Sequence, residues 1–340
     1  SFTTGIEGVY SVIVTNTVTG CVGASASGTV SLITAPTINT PTSYQVCDDN
    51  NDGVSCSFVL NTKDPEISTQ AGISITYHLT PTDAQTGANP IPKNTPYCNI
   101  TNPQTIYVRV FNPAAPACSS ATSFQLIVNP KPVANLPVAY HLCDDNTDGI
   151  QTFNLTAVVT PQVLGTTLLA TDYTVTYFTS LANAQAGTPF ISPAAAFVTA
   201  TTTVWIRVQN NATGCYDIIT ESLVVDPLPT TLAYFPQYEI CEDLAPVCIE
   251  TFDLTTKITS ILLGQTGMQV TFYPSLPEAT SNTNPILIPS AYTNVIPCAQ
   301  TLGIRITNTL TGCYVISTMD LVVNPKPQPI PPTGAYTVCG

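Results

Sequence analysis

Tyr44-Gln-Val-Cys-Asp-Asp-Asn-Asn-Asp-Gly53 decides how this chain is read. The stretch returns as Tyr140-His-Leu-Cys-Asp-Asp-Asn-Thr-Asp-Gly149 and, worn down, as Tyr238-Glu-Ile-Cys-Glu-Asp243. Tyr336-Thr-Val-Cys339 stands where a fourth copy would begin. From tyrosine to tyrosine the spacings are 96, 98 and 98 residues. A fixed period marks tandem copies of one unit, and this period is the size of one small domain.

Working outward, each copy ends alike. Tyr107-Val-Arg-Val110 leads through Cys118 to Phe124-Gln-Leu-Ile-Val128 and Asn129-Pro-Lys-Pro132. Trp205-Ile-Arg-Val208 leads through Thr213-Gly-Cys215 to Asp226-Pro-Leu-Pro229, and Ile304-Arg-Ile306 through Thr311-Gly-Cys313 to Asn324-Pro-Lys-Pro327. Proline fixes φ, so the Pro-x-Pro segments read as short, semi-rigid linkers. The expected domains are 37–132, 133–229 and 230–327. Residues 1–36, with Gly8-Val-Tyr-Ser-Val-Ile-Val and Thr19-Gly-Cys21, read as the C-terminal part of a preceding repeat, and 328–340 as the start of a following one.

Inside the second repeat the strand signals are Tyr140 to Cys143, Phe153 to Thr156, Tyr173 to Phe178, the region of Phe190-Ile191, Val204 to Val208 and Leu223 to Val225. Turn-forming Gly, Pro, Asn and Asp separate them. About seven short strands per unit predict an all-β fold of tandem immunoglobulin-like β-sandwich domains in an elongated array. Three repeats would reach about 100 Å. Pro81–Gly87 and Leu181–Gly187 are each expected to hold one helical turn, and no long amphipathic helix is expected.

Composition narrows the function. Charged residues make up 9% of the chain, against roughly 25% in average soluble proteins. With eight Lys plus Arg and a formal charge of −13, nucleic acid and anionic membranes are poor partners. A divalent cation suits the charge better. No apolar run is long enough to cross a bilayer. Catalysis finds no support, so the protein is expected not to be an enzyme. Its two histidines, His78 and His141, have no nucleophile or paired carboxylate at telling spacing, and there is no phosphate-binding loop or His-Glu-x-x-His.

Twelve cysteines at repeating positions, none in a Cys-x-x-Cys pair, argue for disulfides and an oxidising compartment. Two schemes fit the opening and penultimate cysteines. Within a repeat the bonds would be Cys47–Cys118, Cys143–Cys215 and Cys241–Cys313. Across a linker they would be Cys21–Cys47, Cys118–Cys143, Cys215–Cys241 and Cys313–Cys339. The first is favoured, because the second must reach past a whole domain. A loop of about 72 residues would contribute on the order of 4 kcal/mol. Cys56 with Cys98 and Cys248 with Cys298 occur together in repeats 1 and 3 and are both missing from repeat 2, as bonded pairs would be.

The acidic loop carries the metal candidates. Asp48, Asn50 and Asp52 before Gly53, and Asp144, Asn146 and Asp148 before Gly149, match the first half of an EF-hand loop, so a structural Ca2+ is expected. The twelfth position, where a bidentate Glu belongs, is Val59 or Leu155. The plainer reading is a turn held by Asp and Asn side chains without metal. Glu242-Asp-Leu-Ala-Pro-Val247 in the third repeat should not bind in this way. Arg109, Arg207 and Arg305 share one strand position and read as structural, paired with a carboxylate or carbonyl. Trp205 reads as packing, and His141 as a surface residue. Asn99-Ile-Thr101, Asn154-Leu-Thr156 and Asn211-Ala-Thr213 are sequons, which a Thr-rich chain produces by chance.

The combination Tyr-x-x-Cys-Asp-Asp-Asn-x-Asp-Gly, Phe153-Asn-Leu-Thr156 (Phe252-Asp-Leu-Thr255 in the third copy), Tyr-Val-Arg-Val, Thr-Gly-Cys and Val-Asn-Pro-x-Pro resembles repeats in very large surface proteins of the Bacteroidetes. Flavobacterial gliding-motility adhesins of the SprB type carry similar arrays. The resemblance implies type IX secretion, an extracellular, cell-surface location and an adhesive or filament role. The expected function is a stalk or filament segment of a large secreted adhesin, whose partners are neighbouring repeats of the same chain. The alternatives are repeats that themselves bind glycan or another surface ligand, and spacers of an exported enzyme.

Overall fold

A computed structural model describes residues 5–243, 247–327 and 334. The expected start of a following repeat, 328–340, and most of its Tyr336–Cys339 motif lie outside the described residues. Ahead of the first repeat, β1 (Gly8–Val12) and β2 (Ala26–Val30) form an antiparallel pair. Repeat 1 then runs β3 (Tyr44–Cys47), α1 (Asp64–Ile67), β4 (Ser74–His78), α2 (Pro81–Thr86), β5 (Gln104–Asn112) and β6 (Ala115–Asn129). Its sheet has the order β3-β6-β5-β4. The long β5–β6 hairpin is antiparallel, but β3 lies parallel to β6, with Tyr44 opposite Leu126 and Cys47 opposite Asn129.

The same plan recurs. Repeat 2 has β7 (Tyr140–Cys143), β8 (Gln151–Phe153), α3 (Leu155–Leu164), β9 (Tyr173–Phe178), α4 (Leu181–Ala186), β10 (Phe197–Thr199), β11 (Thr202–Asn210) and β12 (Tyr216–Asp226). Its sheet order is β7-β12-β11-β9, and β8 pairs with β10. Repeat 3 has β13 (Phe235–Cys241), β14 (Thr251–Phe252), α5 (Ile258–Leu262), β15 (Met268–Tyr273), α6 (Leu276–Ser281), β16 (Tyr292–Thr293), β17 (Ala299–Asn308) and β18 (Tyr314–Asn324). It repeats the order as β13-β18-β17-β15, beside a β14–β16 pair. These are tandem immunoglobulin-like domains of an all-β fold.

Strand alternation builds the core. In repeat 1, Ile106, Val108 and Val110 of β5 and Phe124, Leu126 and Val128 of β6 point inward onto Phe58, Leu60 and Ile67. Leu302, Ile304, Ile306, Met319, Leu321 and Val323 do the same in repeat 3 over Phe252, Leu254 and Ile261. Each fully buried side chain of this size contributes about 1.5–3 kcal/mol. The tyrosine that opens each copy locks the two layers together. Tyr44, Tyr140 and Tyr238 meet Phe58, Phe153 and Phe252 edge-on at 5.2, 5.1 and 5.2 Å.

Two readings of repeat 2 need correction. The strand expected over Phe153–Thr156 stops at Phe153, and a ten-residue helix, α3, follows. Asn154 caps it, its side chain accepting from the Ala157 N–H at 3.0 Å. Leu155, Val159 and Val163 are buried at a spacing of four, which is helical, although β-branched valines favour strands. Phe190-Ile191 is not a strand: Phe190 is exposed, and only the Ile191 N–H reaches the Tyr177 carbonyl. The two helical turns are present as α2 and α4. Thr80 and Ser180 cap them, and Gly87 and Gly187 close them at φ of 77° and 76°.

The chain divides into two compact units. One comprises Ser1–Val133, Leu168–Thr174 and Val208–Asp217, and the other Ala134–Thr167, Val175–Arg207 and Ile218–Gly340. In the first unit, loops of repeat 2 that include the Thr213-Gly-Cys215 turn thus pack with repeat 1.

Candidate functional site

Strand direction decides where each cysteine lies. Because β3 runs parallel to β6, Cys47 ends level with Asn129, where the chain leaves the domain. Cys118 sits near the start of the same strand β6, eleven residues back. At about 3.3 Å per residue that is about 36 Å, whereas bonded cysteines need Cα atoms roughly 4.4–6.8 Å apart. The favoured pairing inside each repeat is therefore wrong. Instead Cys47 bonds Cys215, and Cys143 bonds Cys313, each with a Cα separation of 5.5 Å. The opening cysteine of one repeat grips the Thr-Gly-Cys turn of the next. The alternative across the linkers fails too, since Cys21, Cys118 and Cys241 are free. Cys339 lies outside the described residues. Cys56–Cys98 and Cys248–Cys298 are bonded within repeats 1 and 3.

The receiving turns of repeats 2 and 3 are built alike. In repeat 2 the Asn210 side chain accepts from the N–H groups of Ala212 and Thr213, and the Asn210 N–H donates to the Cys215 carbonyl at 2.8 Å. Asn308 and Cys313 do the same in repeat 3, and Asn16 and Cys21 ahead of repeat 1. Cys215 and Cys313 are fully buried.

The acidic loop sits beside the opening cysteine. Asp48, 2% exposed, accepts N–H groups from Asn50, Asn51 and Gly53 at 3.2, 2.8 and 2.6 Å. Burial alone would raise its carboxyl. The N–H groups of Gly53, Asn50, Asn51 and Asp52 outweigh burial and hold it below the ordinary 3.8. Asn50 and Asp52 stay exposed and bond each other, Asn50 Nδ2 donating to Asp52 at 2.8 Å. Asp144, Asn146 and Asp148 repeat the arrangement, with Gly149 N–H donating to Asp144 at 2.9 Å and Asn146 to Asp148 at 2.8 Å. The loop is thus a turn tied by its own side chains. Among the described residues no cluster of three or more His, Cys, Asp or Glu side chains gathers as a metal would need. In the third copy Glu242 accepts the Cys248 N–H at 2.9 Å, while 244–246 lie outside the described residues.

The loop also clasps the linker, which the sequence reading missed. Lys131 donates its N–H to Asn51 Oδ1 at 2.8 Å and its ammonium to the Asp49 carbonyl at 2.8 Å. Lys326 reaches the Asp243 carbonyl in the same way. The residue after each opening tyrosine faces the residue that starts each linker: Gln45 with Asn129, His141 with Asp226, Glu239 with Asn324. The recurrence of Pro-Lys-Pro was the available signal.

The arginines cap helix C-termini. Arg109 Nη1 donates to the carbonyls of Ala84 and Gln85, Arg207 Nη1 to Ala184 and Gln185, and Arg305 Nη1 to Ala279. The sequon asparagines have structural partners as well. Asn99 is buried on Ser55 and Gly53, Asn154 caps α3, and Asn211 bonds Thr174 and Thr171.

The Flavobacterium inter-domain disulphide bond domain pattern matches residues 43–132, 139–229 and 237–327. The chain belongs to that family. Inter-domain disulphide bond domains here account for most of the sequence, and Cys47–Cys215 and Cys143–Cys313 are bonds of the kind the description states. A search of curated proteins returned no match. Among solved structures the chain is similar to Sidekick-1 immunoglobulin domains 1–4, at 10% identity over 94% of this chain and 83% of that one, TM-score 0.23. Extracellular domains 3–5 of Drosophila OTK match at 7% identity over 86% and 100%, TM-score 0.26. The sialic acid binding region of a Streptococcus sanguinis adhesin matches at 15% over 86% and 78%, TM-score 0.24.

Proposed function

We propose that these domains form a load-bearing spacer of an exported flavobacterial surface adhesin, without catalytic activity. The observation that carries this reading is the pair of bonds Cys47–Cys215 and Cys143–Cys313. Each closes a covalent loop around a linker, so tension between neighbours runs through a disulfide as well as the backbone. The Lys131 clasp and the prolines stiffen the same junction. Export to the cell surface through the type IX route, and a part in gliding, belong to this proposal by the sequence resemblance. So does the assignment of residues 1–36 to the end of another repeat, which the shared Asn16 and Asn210 turn supports.

Calcium at Asp48 and Asp144 is a subsidiary proposal. Oxygen-bearing side chains stand at alternate positions of one turn, but Val59 and Leu155 supply no bidentate carboxylate, so water would complete the shell.

Stretching single molecules of the whole chain tests the main reading. Under oxidising conditions the extension should stop well short of the full contour, and a reductant should release the difference. Equal extension in both conditions would sink the spacer role of the inter-repeat bonds.

A further inference from the structure

Glu221 occupies a core position. It lies on β12 two residues before Leu223, which faces Tyr140. The equivalent residues are Phe124 in repeat 1, two before Leu126 opposite Tyr44, and Met319 in repeat 3, two before Leu321 opposite Tyr238. Phe124 and Met319 are core residues, at 5% and 2% exposure, and Glu221 is equally buried at 2%. Its Oε1 accepts the Tyr140 N–H at 3.0 Å, and its Oε2 is buried without a hydrogen-bond partner.

Repeat 2 has no cation to spare for it. Residues 133–229 contain no lysine, and their one arginine, Arg207, donates to the carbonyls ending α4. His141 is turned to Asp226 at 2.9 Å. The ionisable side chain facing Glu221 from β9 is Tyr177, whose hydroxyl is held by Thr160 and the Leu155 carbonyl. Burial pushes the Tyr177 hydroxyl up to about 12, and Glu221 adds to this. Burial likewise pushes the Glu221 carboxyl above its ordinary 4.5, against a weaker pull from the N–H groups of Tyr140 and Ser222. The same repeat lacks the internal disulfide of its neighbours: Gln151 and Val198 stand near the places of Cys56 and Cys98.

We propose that Glu221 makes repeat 2 the pH-gated domain of the chain, closed while its carboxyl is protonated and the first to open once it ionises. The sign follows from linkage. A carboxyl raised in the folded state contributes its full stability below 4.5 and loses it as the pH rises through the folded value. Opening would leave the repeat joined to its neighbours, because Cys143 and Cys215 are each bonded to another repeat. The inference concerns the domain's stability and stands whether or not the chain bears load.

Amide exchange of the whole chain at about pH 5 and about pH 8, corrected for intrinsic rates, reads this directly. Protection of the β11 and β12 core amides should fall about tenfold for each unit by which folding raises the carboxyl. The β5–β6 and β17–β18 amides should hold constant. Glu221→Gln, and Glu221→Met with the residue of repeat 3, should flatten the profile of repeat 2 and raise its protection at the higher pH. A wild-type profile equal in all three repeats overturns the proposal without any variant. A slope that survives in Glu221→Gln overturns it as well.

Discussion

Asp48 shows what one side chain does at the junction. It is the hub of three backbone N–H groups, and the turn it ties presents Asn51 and Asp49 to Lys131. Its carboxyl is lowered on folding, so its contribution is present above 3.8 and is lost as the pH falls through the lower folded value. Asp48→Ala should therefore lower the melting temperature of repeat 1 at neutral pH and narrow the gap between wild type and variant in acid. Calorimetry at the two pH values checks this, and an identical acid loss in both proteins would contradict it. Repeating the scans with calcium and with a chelator tests the subsidiary ion: a calcium-dependent rise in wild type that Asp48→Ala abolishes would support it. No rise would leave a plain Asx turn. Arg109 makes the matching point for packing. Arg109→Ala leaves the carbonyls of Ala84, Gln85 and Pro116 without their donor and should cost about 2 kcal/mol in denaturant titration.

At the scale of elements, hydrophobic alternation made most strands legible, because the inner face of a sheet must be apolar at every second residue. The β5–β6 and β17–β18 hairpins follow from that pattern alone. Helix α3 was illegible for a physical reason. Its valines favour strands locally, and it becomes a helix because Asn154 caps it and the domain buries its Leu155, Val159 and Val163 face. Asn154→Ala should therefore cost about 1 kcal/mol and act on repeat 2 alone. Amide exchange within α3 measures it, and an effect spread equally over the chain would refute the capping role.

For the whole molecule, the bonds that matter are those between repeats. Cys143 and Cys313 close a loop of 170 residues, worth about 5 kcal/mol in the chain-entropy account. Cys143→Ser should lower stability while leaving Cys56–Cys98 and Cys248–Cys298 intact. Peptide mapping under non-reducing conditions should join the Cys47 peptide to the Cys215 peptide in both proteins. Recovery of Cys47 with Cys118 would overturn the topology described above.

The sequence by itself determined the period, the Pro-x-Pro boundaries, the all-β character and the cysteine pairs that come and go together. It also placed Asp48, Asn50 and Asp52 in one turn and the arginines at one position of equivalent strands, since spacing fixes which residues share an element. Only the tertiary structure decided which repeat each junction cysteine bonds. The reason is strand direction: Cys47 ends β3 at the exit of its domain, far along the sheet from Cys118. Whether an opening strand lies parallel or antiparallel to the last one leaves alternation and spacing unchanged, so no local pattern records it.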